Sequence, residues 1–464
     1  MSTYSEAGPP TQPPEAPATA PPGPRAPQPV QALMFMRDPI GFLHDCQRRY
    51  GPIFTIKMLG SPGMVMVADP ELAHRVFSTD RDIGHAGQAR ADFLEPLVGA
   101  HSLLTLDGQD WMRQRKMLGS AFHGKHVQGY RAPIATIAAQ QVERWPTGRP
   151  VTLRPRFQAI TLEVILRVVF GVTDSERLRR LTHLLPRLLA ATESLDTLMF
   201  LTPPWLWRRL DPLLTRTPAT PNARFATLRR ATDAIIYDEI AQRRDSAATE
   251  RTDILSTLLS ARDGDGTALN DEELRDALIT LLLAGHETTA TALAWCFERL
   301  MHNPEVEERA RQAAVAGDAA YLTALAKETL RTRPIVGDMP RVLSEPLSLG
   351  GYRVPRGWWV SPAPLLTHAS AALFPQPEEF RPERFLTDEV EPNAWMPFGG
   401  GRRQCLGAQF ALLEMSAVLP EVLTRVRLRP AGDAAPEKPS LRHVTLAPAR
   451  DVPVVAHPEP SPRR

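Results

Sequence analysis

Four glycines crowd a single cysteine in the run Phe398-Gly399-Gly400-Gly401-Arg402-Arg403-Gln404-Cys405-Leu406-Gly407-Ala408. Glycine tolerates positive φ and close backbone approach, so amides in such a loop can turn toward a sulfur or a flat ligand. An apolar helical pattern begins at Gln409. Inward amides beside a helix N-terminus lower a thiol's pKa and hold it as thiolate. Thiolate is the haem ligand that pushes electron density toward iron and favours O–O cleavage. A Cys-Leu-Gly by itself is equally a glycine-rich turn around a buried cysteine. Zinc is disfavoured, because no second cysteine or histidine lies at ligand spacing. Cys46 and Cys296 fall on helical patterns without such surroundings and read as packing residues.

A second cluster, Ala284-Gly285-His286-Glu287-Thr288-Thr289, lies midway along the longest helical pattern. A glycine there weakens the helix, and the Thr288 hydroxyl can bond back to the Ala284 carbonyl. One turn is therefore expected to loosen and open a groove for oxygen and water. Activating dioxygen on iron needs two protons, and an alcohol beside a carboxyl can deliver them. The competing reading is a solvated polar cluster. A zinc-protease reading of His286-Glu287 fails, because Ala290 stands where the second histidine is required.

Phe398, Gly401, Arg403, Cys405 and Gly407 fit Phe-x-x-Gly-x-Arg-x-Cys-x-Gly at every fixed position. The loop thus resembles the haem-binding signature of the cytochrome P-450 superfamily, and the helix motif is similar to that family's Ala/Gly-Gly-x-Asp/Glu-Thr-Thr. The resemblance implies Cys405 as axial ligand to the iron of haem b (iron protoporphyrin IX). It places Ala284, Phe398, Gly399 and Gly407 against the cofactor, Thr288 in the oxygen pocket and Glu287 in proton relay. Trp111 and Arg115, one helical turn apart, resemble the family's Trp-x-x-x-Arg propionate contact. Arg341 and Arg403 stand where other propionate partners occur. Glu328 and Arg331, with Arg384 of Pro-Glu-Arg-Phe, imply a buried network whose role is structural.

The implied activity is monooxygenation: one oxygen atom of O2 enters a hydrophobic small molecule, fatty acid or terpenoid-like. Electrons would come from NAD(P)H through separate proteins, a ferredoxin and its reductase or a flavodoxin-type donor. A haem-thiolate peroxygenase or isomerase is one alternative, although it could dispense with the Glu287–Thr288 pair. A non-enzymatic haem sensor is another. By family position Leu103-Leu104, the Trp205 region, Ala284, Ile335-Val336 and Val444-Thr445 are expected to line the substrate pocket. Arg113, Arg115, Lys116, Lys125, Arg402 and Arg403 are expected to form a basic patch that steers an acidic donor.

The elements that must position these groups read as mainly α (α+β), a large helical domain with small antiparallel sheets. Pro39 to Tyr50 is helical, and Ile53–Leu59 with Met64–Val67 reads as a hairpin. Ile83 to Leu106 reads as a long irregular loop with a short helix, and Thr202 to Asn222, with five prolines, as a break. Asn270 to His302 is the longest helix, opened by an Asn270/Glu273 capping box. Leu347–Leu349, Tyr352–Val354 and Trp358–Val360 read as short strands.

Ten of the first thirty residues are proline, so residues 1–30 are expected to be a disordered tail, 31–455 one domain and 456–464 a second tail. Lys plus Arg total 54 against 52 acidic residues, a balance that gives no reason to expect nucleic acid. Three widely spaced cysteines suit a reducing cytoplasm. The most apolar run, Ala277 to Gly285, is nine residues long, against about 20 for a bilayer span. A soluble, cytoplasmic protein is expected.

Overall fold

A computed structural model of the chain describes residues 19–58, 61–122, 128–172, 174–201, 204–217, 220–245, 253–387, 390–391, 393–432, 435–442 and 444–459. Its axis is the helix Asp271–Met301. The Asn270 side chain accepts from the Glu273 amide at 2.9 Å while Glu273 accepts from the Asn270 amide at 2.9 Å. Two otherwise orphaned donors are thereby satisfied. The helix continues unbroken through Gly285, so the expected loosened turn is absent and the glycine serves a different end. A Cβ there would stand 2.7 Å from Ile165 Cδ1. Its absence lets the neighbouring chain, helix Leu153–Val164 and the π-turn Ile165–Val169, approach closely. Phe157 of that chain stacks on Phe297 at 5.4 Å. Among the described residues, this is the one helix long and apolar enough to cross a membrane, and 67% of its most apolar window is buried inside the fold.

Strands β1 (Ile53–Ile56) and β2 (Met64–Val67) form the expected antiparallel hairpin. Every residue of both is buried. Phe54, Ile56, Met64 and Met66 pack with Phe42 and Leu366 on one face, whereas Ile53, Val65 and Val67 pack with Phe77 and Val360 on the other. A strand covered on both faces needs no polar alternation, which is why Met-Val-Met-Val reads as a continuous apolar run. The remaining strands are β3 (Gly84–His85), β4 (Pro150–Thr152), β5 (Arg341–Leu343), β6 (Leu347–Leu349), β7 (Tyr352–Val354), β8 (Trp359–Pro362), β9 (Val426–Pro430), β10 (Pro439–Arg442), β11 (Thr445–Pro448) and β12 (Pro453–Pro458). One sheet has the order β1-β2-β8-β5-β3; the others are β4-β12-β9, β6-β7 and β10-β11. The fold is mainly helical with small sheets, as expected, but β2 and β8 run parallel. That pairing joins residues some three hundred apart, and no local turn signal announces it.

Gln88–Val98 is the short helix expected within the loop Ile83 to Leu106, and two boundaries differ from the sequence reading. Pro204–Arg216 is helical within the supposed break; Pro204 occupies the first turn, where its missing N–H costs nothing. Order also begins before residue 30. The Pro22 carbonyl accepts from the Thr55 amide and the Pro21 carbonyl from its hydroxyl, both at 2.8 Å. Proline carbonyls thus cap the open edge of β1, where unpaired N–H groups need acceptors.

Helix Ala319–Thr332 carries Glu328 and Arg331 on one face. Arg331 clasps the carboxylate at 2.7 and 2.8 Å, and Arg384 adds a third contact at 3.2 Å. All three side chains are almost wholly buried. Arg331 also donates to the carbonyls of His368, Pro377 and Glu379. Glu328→Ala would leave two guanidiniums buried without their counter-ion, a loss of about 3–5 kcal/mol. The expected outcome is a large fall in urea midpoint, or no soluble protein; an unchanged midpoint would contradict this account.

Candidate functional site: a hollow between the cysteine loop and the core helix

The cysteine loop turns through Gly399 (φ 72°) and Gly401 (φ 64°) before helix Ala408–Leu423. A Cβ at Gly401 would meet the Phe77 carbonyl oxygen at 2.7 Å, so only glycine fits this approach. The Cys405 amide donates to the Phe398 carbonyl at 2.9 Å, closing the loop on itself. Cys46 and Cys296 are buried, and burial pushes their thiols up to about 11 and about 12. Cys405 alone is solvent-accessible. Protein nevertheless surrounds it closely, and this burial raises its pKa, opposed by an N–H from Gly407 and by the Arg115 charge. A thiol both crowded and accessible lines an internal hollow.

On the core helix, most of whose residues are buried, Ala284 is exposed. Open space therefore lies beside that helix at its oxygen motif. The Thr288 hydroxyl donates to the Ala284 carbonyl, the back-bond that the spacing anticipates. Glu287 is not free: Arg154 pairs with one carboxylate oxygen, and Gln158 donates to the other at 2.7 Å. Arg154 is in turn held by Asp451 at 2.5 Å. His286 is buried against the Thr161 hydroxyl at 2.9 Å, and burial pushes it down to about 4. It is a neutral packing histidine.

Around the hollow's rim, Arg403 lies over the Trp111 ring at 4.5 Å and Arg115 over the same ring at 5.7 Å. Arg403 pairs with Asp107, and Arg341 makes two bonds to Asp80 at 3.0 and 3.1 Å. Sequence reasoning missed Arg90, which lies within electrostatic reach of Arg341 and Arg403. Burial and those two charges push it down to about 10, and it makes no ion pair among the described residues. Nothing local marks it, because Arg341, Arg403 and Asp338 reach it from the far end of the chain. Four guanidiniums gather beside a hollow, and Arg90 and Arg115 make no ion pair among the described residues while Arg341 and Arg403 do; such a cluster calls for anionic groups on whatever fills it.

The family profile described as Cytochrome P450 matches residues 21–452. The chain belongs to the cytochrome P450 family. A Mycobacterium tuberculosis protein named as cytochrome P450 135B1 is 44% identical over 441 residues, covering 93% of this chain and 90% of that one. Cytochrome P450 135A1 of the same organism is 39% identical, covering 92% and 93%. The solved structure of retinoic acid bound cyanobacterial CYP120A1 superposes with a TM-score of 0.80 at 26% identity, covering 96% of this chain and all of that one. As a cytochrome P450, the protein is a monooxygenase with a haem-thiolate cofactor.

The residues present fit that group. An accessible thiol faces a hollow, Gly407 has open space beside it, and the surplus of guanidiniums meets the need of two propionates. The expected basic docking patch is smaller than the sequence suggests. Arg113 pairs with Asp263 and Glu273, because the capping glutamate of the core helix lies beside it. Arg115 and Arg403 belong to the rim. Lys125 lies outside the described residues, so Lys116 and Arg402 are the exposed members left. Of the expected pocket residues, Leu103, Leu104 and Val336 are half-buried, Ile335 and Thr445 buried, and Val444 exposed. The side chain of Trp205 lies outside the described set.

Behind the hollow, Glu414 of helix Ala408–Leu423 is fully buried beside the Thr289 hydroxyl. Burial raises its pKa well above the ordinary value, so the folded state holds a proton that the unfolded chain releases. Stability should therefore fall as pH rises from the unfolded pKa of about 4.5 toward the raised folded value. Glu414→Gln should flatten that decline. Urea midpoints of both proteins between about pH 5 and 8 test this; parallel curves would refute it.

Proposed function

We propose that Cys405 would hold the haem iron as a thiolate and that Thr288 with Glu287 would deliver protons, in a monooxygenase acting on a hydrophobic small molecule such as a fatty acid or terpenoid. The observation that carries this reading is that, of three cysteines, the accessible one lies in the glycine loop facing a hollow. When bound, haem supplies the activation of O2 that lets one oxygen atom enter the substrate while the other leaves as water.

The chain's own residues bind, orient and deliver protons. The Gly407 amide and Arg115 favour the ionised sulfur against the cost of burial. Trp111, Arg115, Arg341, Arg403 and Arg90 would hold the haem propionates, and Ala284, Phe398, Gly399 and Gly407 would contact the cofactor. Thr288 spends its own proton on Ala284, so its oxygen is left to accept, and it fixes an O–H donor in the groove. Both oxygens of Glu287 are engaged; proton relay requires it to exchange one of those bonds for water. Ala284, Leu103, Leu104, Ile335 and Val336 present apolar surface suited to a hydrophobic substrate, and the cyanobacterial relative was solved with retinoic acid.

Electrons reach the protein from NAD(P)H through a ferredoxin and its reductase, or a flavodoxin-type donor, docking over Lys116 and Arg402. Three unpaired cysteines suit work in a reducing cytoplasm.

Three outcomes are expected. The reduced, carbon-monoxide-treated protein shows a red-displaced Soret band that Cys405→Ala abolishes; a band that survives the substitution overturns the ligand assignment. Thr288→Ala keeps haem and that band but yields on the order of tenfold less product per NAD(P)H. Equal yield would remove Thr288 from proton delivery. Reversing charge at Lys116 and Arg402 together should weaken donor association at low salt and leave it little changed at high salt, read by titration calorimetry.

A further inference from the structure

A cavity of about 360 Å³ opens where helix Pro39–Tyr50, the far end of the core helix, the chain after Thr332 and β11 meet. None of its lining residues belongs to the cysteine loop or the oxygen motif. Trp295, Leu365, Leu446 and Pro334 give it apolar walls, and three guanidiniums, of Arg299, Arg331 and Arg333, reach it. Two of these are already engaged. Arg331 is consumed by Glu328 and three backbone carbonyls. Arg299 grips Glu298 at 2.7 and 2.9 Å, and that carboxylate also accepts the Glu437 amide at 3.0 Å.

Arg333 is different. Its guanidinium lies 5.1 Å over the Trp295 ring, and one N–H goes to the adjacent Thr332 carbonyl at 2.9 Å. Its Nε is buried with no hydrogen-bond partner, and the side chain makes no ion pair among the described residues. Burial, then the Arg299 charge, brings its pKa down to about 10, so it remains a cation at neutral pH. The acid lining the cavity, Glu378, is exposed and makes no ion pair with it. The Glu298 carboxylate attracts it without a direct pair and is already clasped by Arg299, so this desolvated cation attracts any further anion that can enter.

We propose that this cavity is a second ligand site, in which Arg333 receives the head of a small carboxylate and the apolar walls receive its tail. A guanidinium fork matches the planar, two-oxygen geometry of a carboxylate. The tail follows from the walls, since an inorganic anion would leave Trp295, Leu365 and Leu446 uncovered. The volume is near the lower end for small-molecule sites, roughly 300 Å³, which limits the tail to a handful of carbons.

Sodium hexanoate is the probe, titrated calorimetrically into the holoenzyme with the haem pocket saturated by phenylimidazole. One saturable site is expected, with hexanol and inorganic phosphate binding far more weakly. Arg333→Leu should weaken hexanoate by about tenfold or more, the loss of a charged hydrogen bond. Ala369→Glu, which adds a negative charge at an exposed lining position, should do the same without disturbing the core. The Soret spectrum should not move in either variant. Absence of saturable binding to the parent protein, or parental affinity in the Ala369→Glu variant, overturns the proposal.

Discussion

One buried carboxylate ties the helical body to the loop that carries the chemistry. Glu328 accepts from Arg331, Arg384 and the Arg381 amide. Arg331 reaches on to the carbonyl of His368, whose ring accepts the Met396 amide at 3.0 Å. Burial and the Arg331 charge push His368 down to about 3, so its Nε2 keeps the lone pair that Met396 needs. Met396 then accepts from the Gly399 amide at 3.1 Å. Charge, imidazole and main chain thus form one line from helix Ala319–Thr332 to the first turn of the cysteine loop. Such a network is rigid because its paired polar atoms strengthen one another in a low dielectric, and Nδ1 of His368 stands buried along it without a hydrogen-bond partner.

The charges around the hollow obey a different logic. Asp80 and Asp107 answer two of the rim's guanidiniums, while Arg90 makes no ion pair among the described residues and is attracted by Asp80 and by Asp338, whose own pKa burial raises. A folded chain does not concentrate like charge beside a void unless something else completes the balance. The same reasoning separates the rim from the surface. Arg113, close in sequence to the rim, is neutralised by Asp263 and Glu273 and belongs to helix capping instead.

The polar side of the core helix shows how one motif serves two ends. Thr288 turns inward along its own helix, and Glu287 turns outward to Arg154, which Asp451 also holds. Asp451 and Val452 both have positive φ, at 59° and 57°, a costly conformation for a β-branched residue. That turn places the Asp451 carboxylate on Arg154 while its carbonyls accept the first amides of helix Leu153–Val164. The C-terminal turn, the neighbouring helix and the oxygen motif are therefore mechanically joined.

Much of this was legible in the residues themselves. The glycine loop around Cys405, the Asn270/Glu273 cap, the Thr288 back-bond, the β1–β2 hairpin and the Glu328–Arg331 pair all depend on neighbours within a few positions, so local chemistry specifies them. Family resemblance supplied the link to Arg384. Tertiary structure alone decided that β2 and β8 run parallel, that Arg90 joins the rim, that Arg154 claims Glu287 and that Arg333 lies over Trp295 with no ion pair among the described residues. In each case the decisive neighbour arrives from far along the chain. Spacing carries no information about which distant charge will reach a buried one, because packing of the whole core sets that distance.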